Sequence, residues 1–359
     1  MSKVTGFKIF MISILSTVLF TACSNNELIS DDNGIPEVKS EPSYAVLKED
    51  NIVYANGLSH DNTSNSSFTI PLKLDLYYPD NNTSNRPFFM FIHGGGFKGG
   101  TKTKPEIVEM ANYYASRGWV FASIDYRTVE ELGIIKGMTQ EELLTYYKGI
   151  APREWIENAL QGSQSPDEVQ QATAMYIAQR DSKAALRWIM ANASTYNINK
   201  DFITVGGASA GAITTIALGI SNQEDFRDEI TVNDDPTLSS TNLNEFYEVK
   251  SMVYFWGSNI KLDVFESVYK LNKYDRYDDS DPELFMGHGT AQDLVTPYEE
   301  ALELQEIYNS LGIYNKLATL VQPNGDPAGH GAWNGEVGGK GLFELTFDFL
   351  TERQNLKVK

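Results

Sequence analysis

The chain has 359 residues, of which 42 % are hydrophobic, and a formal net charge of −19. This length and apolar content suffice for one large buried core, and the acidic balance argues against nucleic acid as a partner because it repels phosphate backbones. Cys23 is the only cysteine, which excludes an intramolecular disulfide, a cysteine nucleophile and a thiolate metal site.

Residues 1–22 read as an export signal, with Lys3 and Lys8 ahead of the apolar run Ile9–Phe20, a run too short for a membrane span. The segment Leu19-Phe-Thr-Ala-Cys23 is similar to a bacterial lipoprotein signal, in which the cysteine becomes the lipidated N-terminus after cleavage at Ala22. Phe20 departs from the smaller aliphatic residue such signals more often carry. The expectation is an exported cell-envelope lipoprotein held to the membrane through Cys23, with a freely secreted protein as the alternative. Loss of Lys3 and Lys8 leaves 27 basic against 48 acidic residues, a net −21. Residues 23–43 are polar and acidic without apolar periodicity, the composition of a flexible tether; a single catalytic domain is then expected over 44–359.

Strands are expected at 51–55 and 68–78, the second alternating apolar and polar as a half-exposed edge strand does. The apolar run Pro87–Ile92 reads as a buried strand entering the loop His93-Gly-Gly-Gly-Phe97. Glycines there let backbone N–H groups approach a developing oxyanion closely. A helix around 105–116 and a strand at 119–125 follow. Residues 128–171 exceed an ordinary connection and contain the helix-compatible pieces 139–147 and 152–160, with Tyr146, Tyr147 and Trp155. Leaving the sheet beside the expected pocket, this segment is a candidate helical cap with specificity-setting aromatics.

A long helix is expected at 174–190 and a strand at 202–205, leading into Gly207-Ala-Ser-Ala-Gly211 and a helix from Ala212. A serine hydroxyl is a poor nucleophile; a sharp strand-to-helix turn with small flanking residues lifts it clear of the sheet. Ser209 is the nucleophile candidate. Residues 222–248 form a second excursion, expected on the pocket side. Strands at 251–255 and 284–286 precede Gly287-His-Gly-Thr-Ala-Gln-Asp293, which sets a carboxylate on a loop after a strand. A helix at 297–311, a strand at 316–321, Gly329-His330-Gly331 and a helix at 340–351 complete the chain. Alternating strands and helices require a mostly parallel sheet with helices on both faces.

Ser209, Asp293 and His330 occur in the order Ser, Asp, His, which is that of the α/β-hydrolases. With the His-Gly-Gly-Gly loop, the chain from about Leu72 to about Thr351 resembles the bacterial esterase and lipase group of that superfamily, near the hormone-sensitive-lipase-like carboxylesterases. The resemblance implies an α/β-hydrolase fold, Ser209 as nucleophile, His330 as general base, Asp293 as its orienting carboxylate, and the N–H groups of Gly94, Gly95 and Ala210 as oxyanion hole. It implies a carboxylic ester as substrate, carried by a small molecule or a carbohydrate, and no cofactor. An amide or formamide hydrolase, or a peptidase, would use the same residues; a hydrolase-like binding protein without activity is the competitor from another class.

His288 competes with His330 as base but fits a structural place in its strand-end loop. His93 fits a loop-holding role, and His60, in an Asn- and Ser-rich stretch, reads as solvated. Asp263, Asp275, Asp278, Asp279 and Asp281 compete with Asp293; the last four read as a solvated acidic loop that matches no calcium-loop spacing, so no metal is expected.

Overall fold

The computed structural model describes residues 34–60, 66–259 and 276–359. The export signal, Cys23 and the acidic positions Asp263 and Asp275 lie outside the described residues. The main sheet has eight strands: β1 Val46–His60, β2 Ser67–Pro79, β3 Arg86–Ile92, β4 Val120–Ile124, β5 Ile198–Ala208, β6 Ser251–Phe255, β7 Glu283–Gly289 and β8 Asn315–Leu320. They lie in the order β1-β2-β4-β3-β5-β6-β7-β8. The β1–β2 and β2–β4 pairs are antiparallel and the others parallel.

Strand periodicity divides the core into two layers. On β3, Phe88, Met90 and Ile92 join one hydrophobic cluster and Phe89 and Phe91 the other, all fully buried. The same split recurs on β6, with Met252 and Tyr254 on one side and Val253 and Phe255 on the other. Strands covered on both faces need an unbroken apolar run, which is why 87–92 and 251–255 stood out in the sequence. Helices α4 (Pro166–Asn192), α5 (Ala210–Ile220) and α6 (Tyr298–Leu311) cover the first face; α1 (Pro105–Ala115) and α7 (Leu342–Arg353) cover the second.

Four expectations are corrected. First, β2 is not an edge strand: it pairs with both β1 and β4. Its alternation reports one polar face and carries no information about position in the sheet. Second, residues 35–43 do not belong to a tether. Glu37 and Val38 pair in parallel with Lys357 and Val358, Val38 is fully buried, and Lys39 N–H donates to Arg117 O at 2.9 Å. The folded unit begins at Ile35. Third, His60 is 4 % exposed and stacks on Tyr146 with ring centroids 3.7 Å apart.

The fourth concerns 128–171, which holds α2 (Gln140–Tyr146), α3 (Arg153–Gly162) and the first turns of α4. Its aromatics face inward. Trp155 is 1 % exposed, donates its indole N–H to Ala172 O at 2.8 Å and packs against Tyr176 and Phe226; Tyr146 and Tyr147 are also buried. These aromatics therefore extend the α4 side of the core, and a role for Trp155 in choosing substrates gives way to a structural one, while the ends of the segment brace the glycine loop through Val129 N–H to Phe97 O at 2.8 Å and Gln171 Nε2 to Gly96 O at 2.7 Å. Trp155→Ala should cost about 3–5 kcal/mol of stability by leaving a cavity, with preference among esters unchanged. Urea denaturation together with a small ester panel checks this; altered preference at unchanged stability would restore the cap.

The excursion 222–248 is likewise fastened to α4, by buried cations. Arg180 pairs with Asp235 at 3.1 Å, Lys183 donates to Asn222 O and Asp225 O, and Arg187 donates to Thr241 O. Buried charges need such partners, and here they hold a polar segment on the helical layer.

Candidate active site

The loops that leave the C-terminal ends of β3, β5, β6, β7 and β8 meet at one point, where open α/β sheets place their ligands. Ser209 stands between β5 and α5 with φ 55° and ψ −121°. A left-handed backbone at a residue other than glycine is costly, so its surroundings must fix it. Ser209 N–H donates to Phe255 O at 2.9 Å. The flanking glycines are required by contact: a Cβ on Gly207 would lie 2.2 Å from Gly211 O, and one on Gly211 would lie 2.0 Å from Ile92 O. The turn thus exists only with glycine at both positions.

His330, in the loop after β8, places Nε2 3.1 Å from Ser209 Oγ and Nδ1 2.8 Å from Asp293 Oδ2. Asp293 follows β7, and its side chain is 3 % exposed against 35 % for His330. Its Oδ1 accepts the N–H groups of Val295 at 2.8 Å and Thr296 at 3.1 Å, and its Oδ2 also accepts the Thr296 hydroxyl at 2.8 Å. Burial opposes ionisation, yet these hydrogen bonds together with His330 hold the Asp293 carboxyl below its usual value. The three residues expected from the sequence are therefore brought into one relay. His288 is not in it: its ring is 1 % exposed, burial lowers its pKa, and Nε2 lies 2.8 Å from Thr296 O.

The glycine loop is held from behind by His93. The His93 ring stacks on Tyr126 at 4.4 Å, Tyr126 Oη donates to His93 O at 3.0 Å, and His93 Nδ1 reaches Gly94 O at 2.8 Å. Burial lowers the His93 pKa, and because the Gly94 carbonyl only accepts, Nδ1 carries the proton of this contact. With the Gly94 carbonyl turned to His93, the planar trans peptide turns the Gly95 N–H the opposite way. A Cβ on Gly94 would lie 2.6 Å from Ala208 O, and Gly95 has φ +133° with no room for a Cβ beside Gly99 O. Gly94 and Gly95 line the same cleft as Ser209. Ala210 N–H is the first of α5, one of the donors a helix start leaves free.

The cleft has a volume of about 440 Å³, with Trp256, Val295 and Trp333 as apolar walls and Lys104 at its side. No residue of 128–171 or 222–248 contributes to that lining. Sequence reasoning missed Trp256, which has φ 35°, and Thr296. Only Thr296 left a signal, since an Asp followed by residues whose N–H groups it caps is an Asx turn. Among the described residues, no group of three or more His, Cys, Asp or Glu side chains converges as a metal site would.

The BD-FAE family model matches residues 74–135 and 168–260, and the strand order and the elbow at Ser209 agree with it. The chain has the α/β-hydrolase fold. The gap in the match, 136–167, contains α2 and α3. In structure, the hydrolase is similar to a truncated carbohydrate esterase from gut microbiota, with a TM-score of 0.53, 18 % identity and coverage of 89 % of this chain and 99 % of the other. It is similar too to apo esterase 2 of Thermogutta terrifontis, at TM-score 0.54, 20 % identity, and 89 % and 97 % coverage. The same enzyme phosphoramylated by tabun matches at TM-score 0.52, 19 % identity, and 84 % and 96 % coverage. No curated protein matches the sequence. Identities this low speak to the fold, and the chemistry rests on the site.

Proposed function

We propose that this α/β-hydrolase is an exported, lipid-anchored serine esterase that cleaves carboxylic esters through an acyl-enzyme. The observation that carries the reading is the relay from Asp293 Oδ2 to His330 at 2.8 Å and from His330 to Ser209 Oγ at 3.1 Å. Ser209 Oγ attacks the ester carbonyl while His330 Nε2 takes its proton. The carbonyl oxygen becomes an oxyanion held by the N–H groups of Gly94, Gly95 and Ala210. Collapse breaks the bond to the alkoxide oxygen, which leaves with the proton from His330. Water then gives its proton to His330 and attacks the acyl-serine; the proton returns to Ser209 as the acid departs. Asp293 keeps the proton of neutral His330 on Nδ1 and stabilises the imidazolium.

The alcohol is proposed to belong to a carbohydrate or a small molecule, a reading supported by the similarity to a carbohydrate esterase. The test is hydrolysis of p-nitrophenyl acetate and butyrate alongside the corresponding anilides. Esters are expected to turn over and anilides to lag far behind; a folded protein that cleaves neither ester would end the proposal. Anchoring is proposed from the signal and Cys23. Cys23→Ser should move the protein from the membrane to the soluble fraction with turnover intact, and unchanged fractionation would refute the anchor.

A further inference from the structure

Thr296 lies in the loop after β7 and is 1 % exposed. Its hydroxyl oxygen is 2.8 Å from Asp293 Oδ2, 3.0 Å from His330 Nδ1 and 2.9 Å from Trp256 O. A hydroxyl has one proton to give and two lone pairs to receive. Ionised Asp293 and the Trp256 carbonyl only accept, so the His330 Nδ1–H is shared between Asp293 Oδ2 and Thr296 Oγ1, and the hydroxyl proton goes to the charged Asp293 in preference to the neutral Trp256 carbonyl. Thr296 is itself held at both ends of its backbone, its N–H by Asp293 Oδ1 at 3.1 Å and its carbonyl by His288 Nε2 at 2.8 Å. Trp256, whose carbonyl it meets, lines the cleft and lies with its ring centroid 6.5 Å from that of His330.

We propose that Thr296 is a positioning residue of the relay, its hydroxyl fixing the His330 ring against Asp293. The proposal rests on the serine-hydrolase reading for its kinetic consequence and on geometry alone for the hydrogen bonds. In each cycle His330 takes and returns a proton at Nε2, and a ring held on Nδ1 by one acceptor can pivot about it. A second acceptor on the same N–H removes that freedom and keeps Nε2 aimed first at Ser209 and then at the leaving oxygen. The triad carboxylate and the base are thereby set by a single side chain.

Two variants of the full chain test this. Thr296→Val keeps the shape and removes the hydroxyl; Thr296→Ser keeps the hydroxyl. The Val variant should lower kcat for p-nitrophenyl acetate about 10- to 100-fold, as loss of a hydrogen bond to a charged group implies, with KM within about twofold. The Ser variant should stay within about threefold of the parent. A Val variant with the parent kcat, or a Ser variant as slow as Val, would overturn the proposal. The low-field proton resonance of His330 Nδ1–H gives a readout free of catalysis: it should move in Thr296→Val and hold in Thr296→Ser. A resonance that moves in Thr296→Val while the parent protein hydrolyses no ester would retire the esterase reading and leave the positioning role standing. An unmoved resonance would remove the positioning role even from an active enzyme.

Discussion

Ser209→Ala, His330→Ala and the double mutant are each expected to lose kcat by a similar factor of about 10⁵ to 10⁶. The reason is the 3.1 Å contact between His330 Nε2 and Ser209 Oγ. Without the base the hydroxyl keeps its proton and is a poor nucleophile; without the hydroxyl the base has nothing to activate. Each single change already disables the whole unit, so the second adds little. What remains in all three comes from the oxyanion donors and from binding. Steady-state kinetics on p-nitrophenyl acetate measures this directly. Losses that multiply in the double mutant would mean that the two residues act independently and that the pairing is wrong.

Asp293→Asn should lower kcat by about 10⁴ while leaving the fold intact. The size follows from where the amide must turn. The Oδ1 position receives two backbone N–H groups, from Val295 and Thr296, so an asparagine has to place its oxygen there. Its NH₂ then occupies the Oδ2 position, 2.8 Å from His330 Nδ1. A donor facing Nδ1 makes that nitrogen an acceptor and moves the ring proton to Nε2, where it points at Ser209 and cannot take the serine proton. Retention of activity to within about tenfold would assign the orienting role to another carboxylate.

Much of the site was legible because its residue types are forced by local geometry. Gly207 and Gly211 are dictated by contacts within the turn itself, and the apolar run into His93 follows from a strand covered on both faces. What escaped the sequence depends on distant partners. Residues 35–43 look like a tether by composition, yet they pair with the far end of the chain at 357–358. His60 sits in a polar stretch but is buried by Tyr146 from the inserted helices. α4 begins at Pro166, eight residues before the helix expected at 174–190, with Ser165 capping the Glu168 N–H and Pro166 in the first turn; what the sequence hides is that its middle carries Arg180, Asp181, Lys183 and Arg187 inside the core, held by ion pairs and carbonyl contacts. The direction in which Trp155 points is similarly a tertiary fact. Aromatics in a long connection suggest a lid only until their partners, Tyr176 and Phe226, are seen.

The proposed esterase chemistry stands on Ser209 as the nucleophile, driven by His330. Incubation with a fluorophosphonate followed by peptide mass spectrometry tests it most directly. One phosphonyl group per chain is expected, on the peptide that contains Ser209, absent in Ser209→Ala and formed far more slowly in His330→Ala. Labelling of a different residue, or steady ester turnover by a protein that Ser209→Ala leaves fully active, would contradict it.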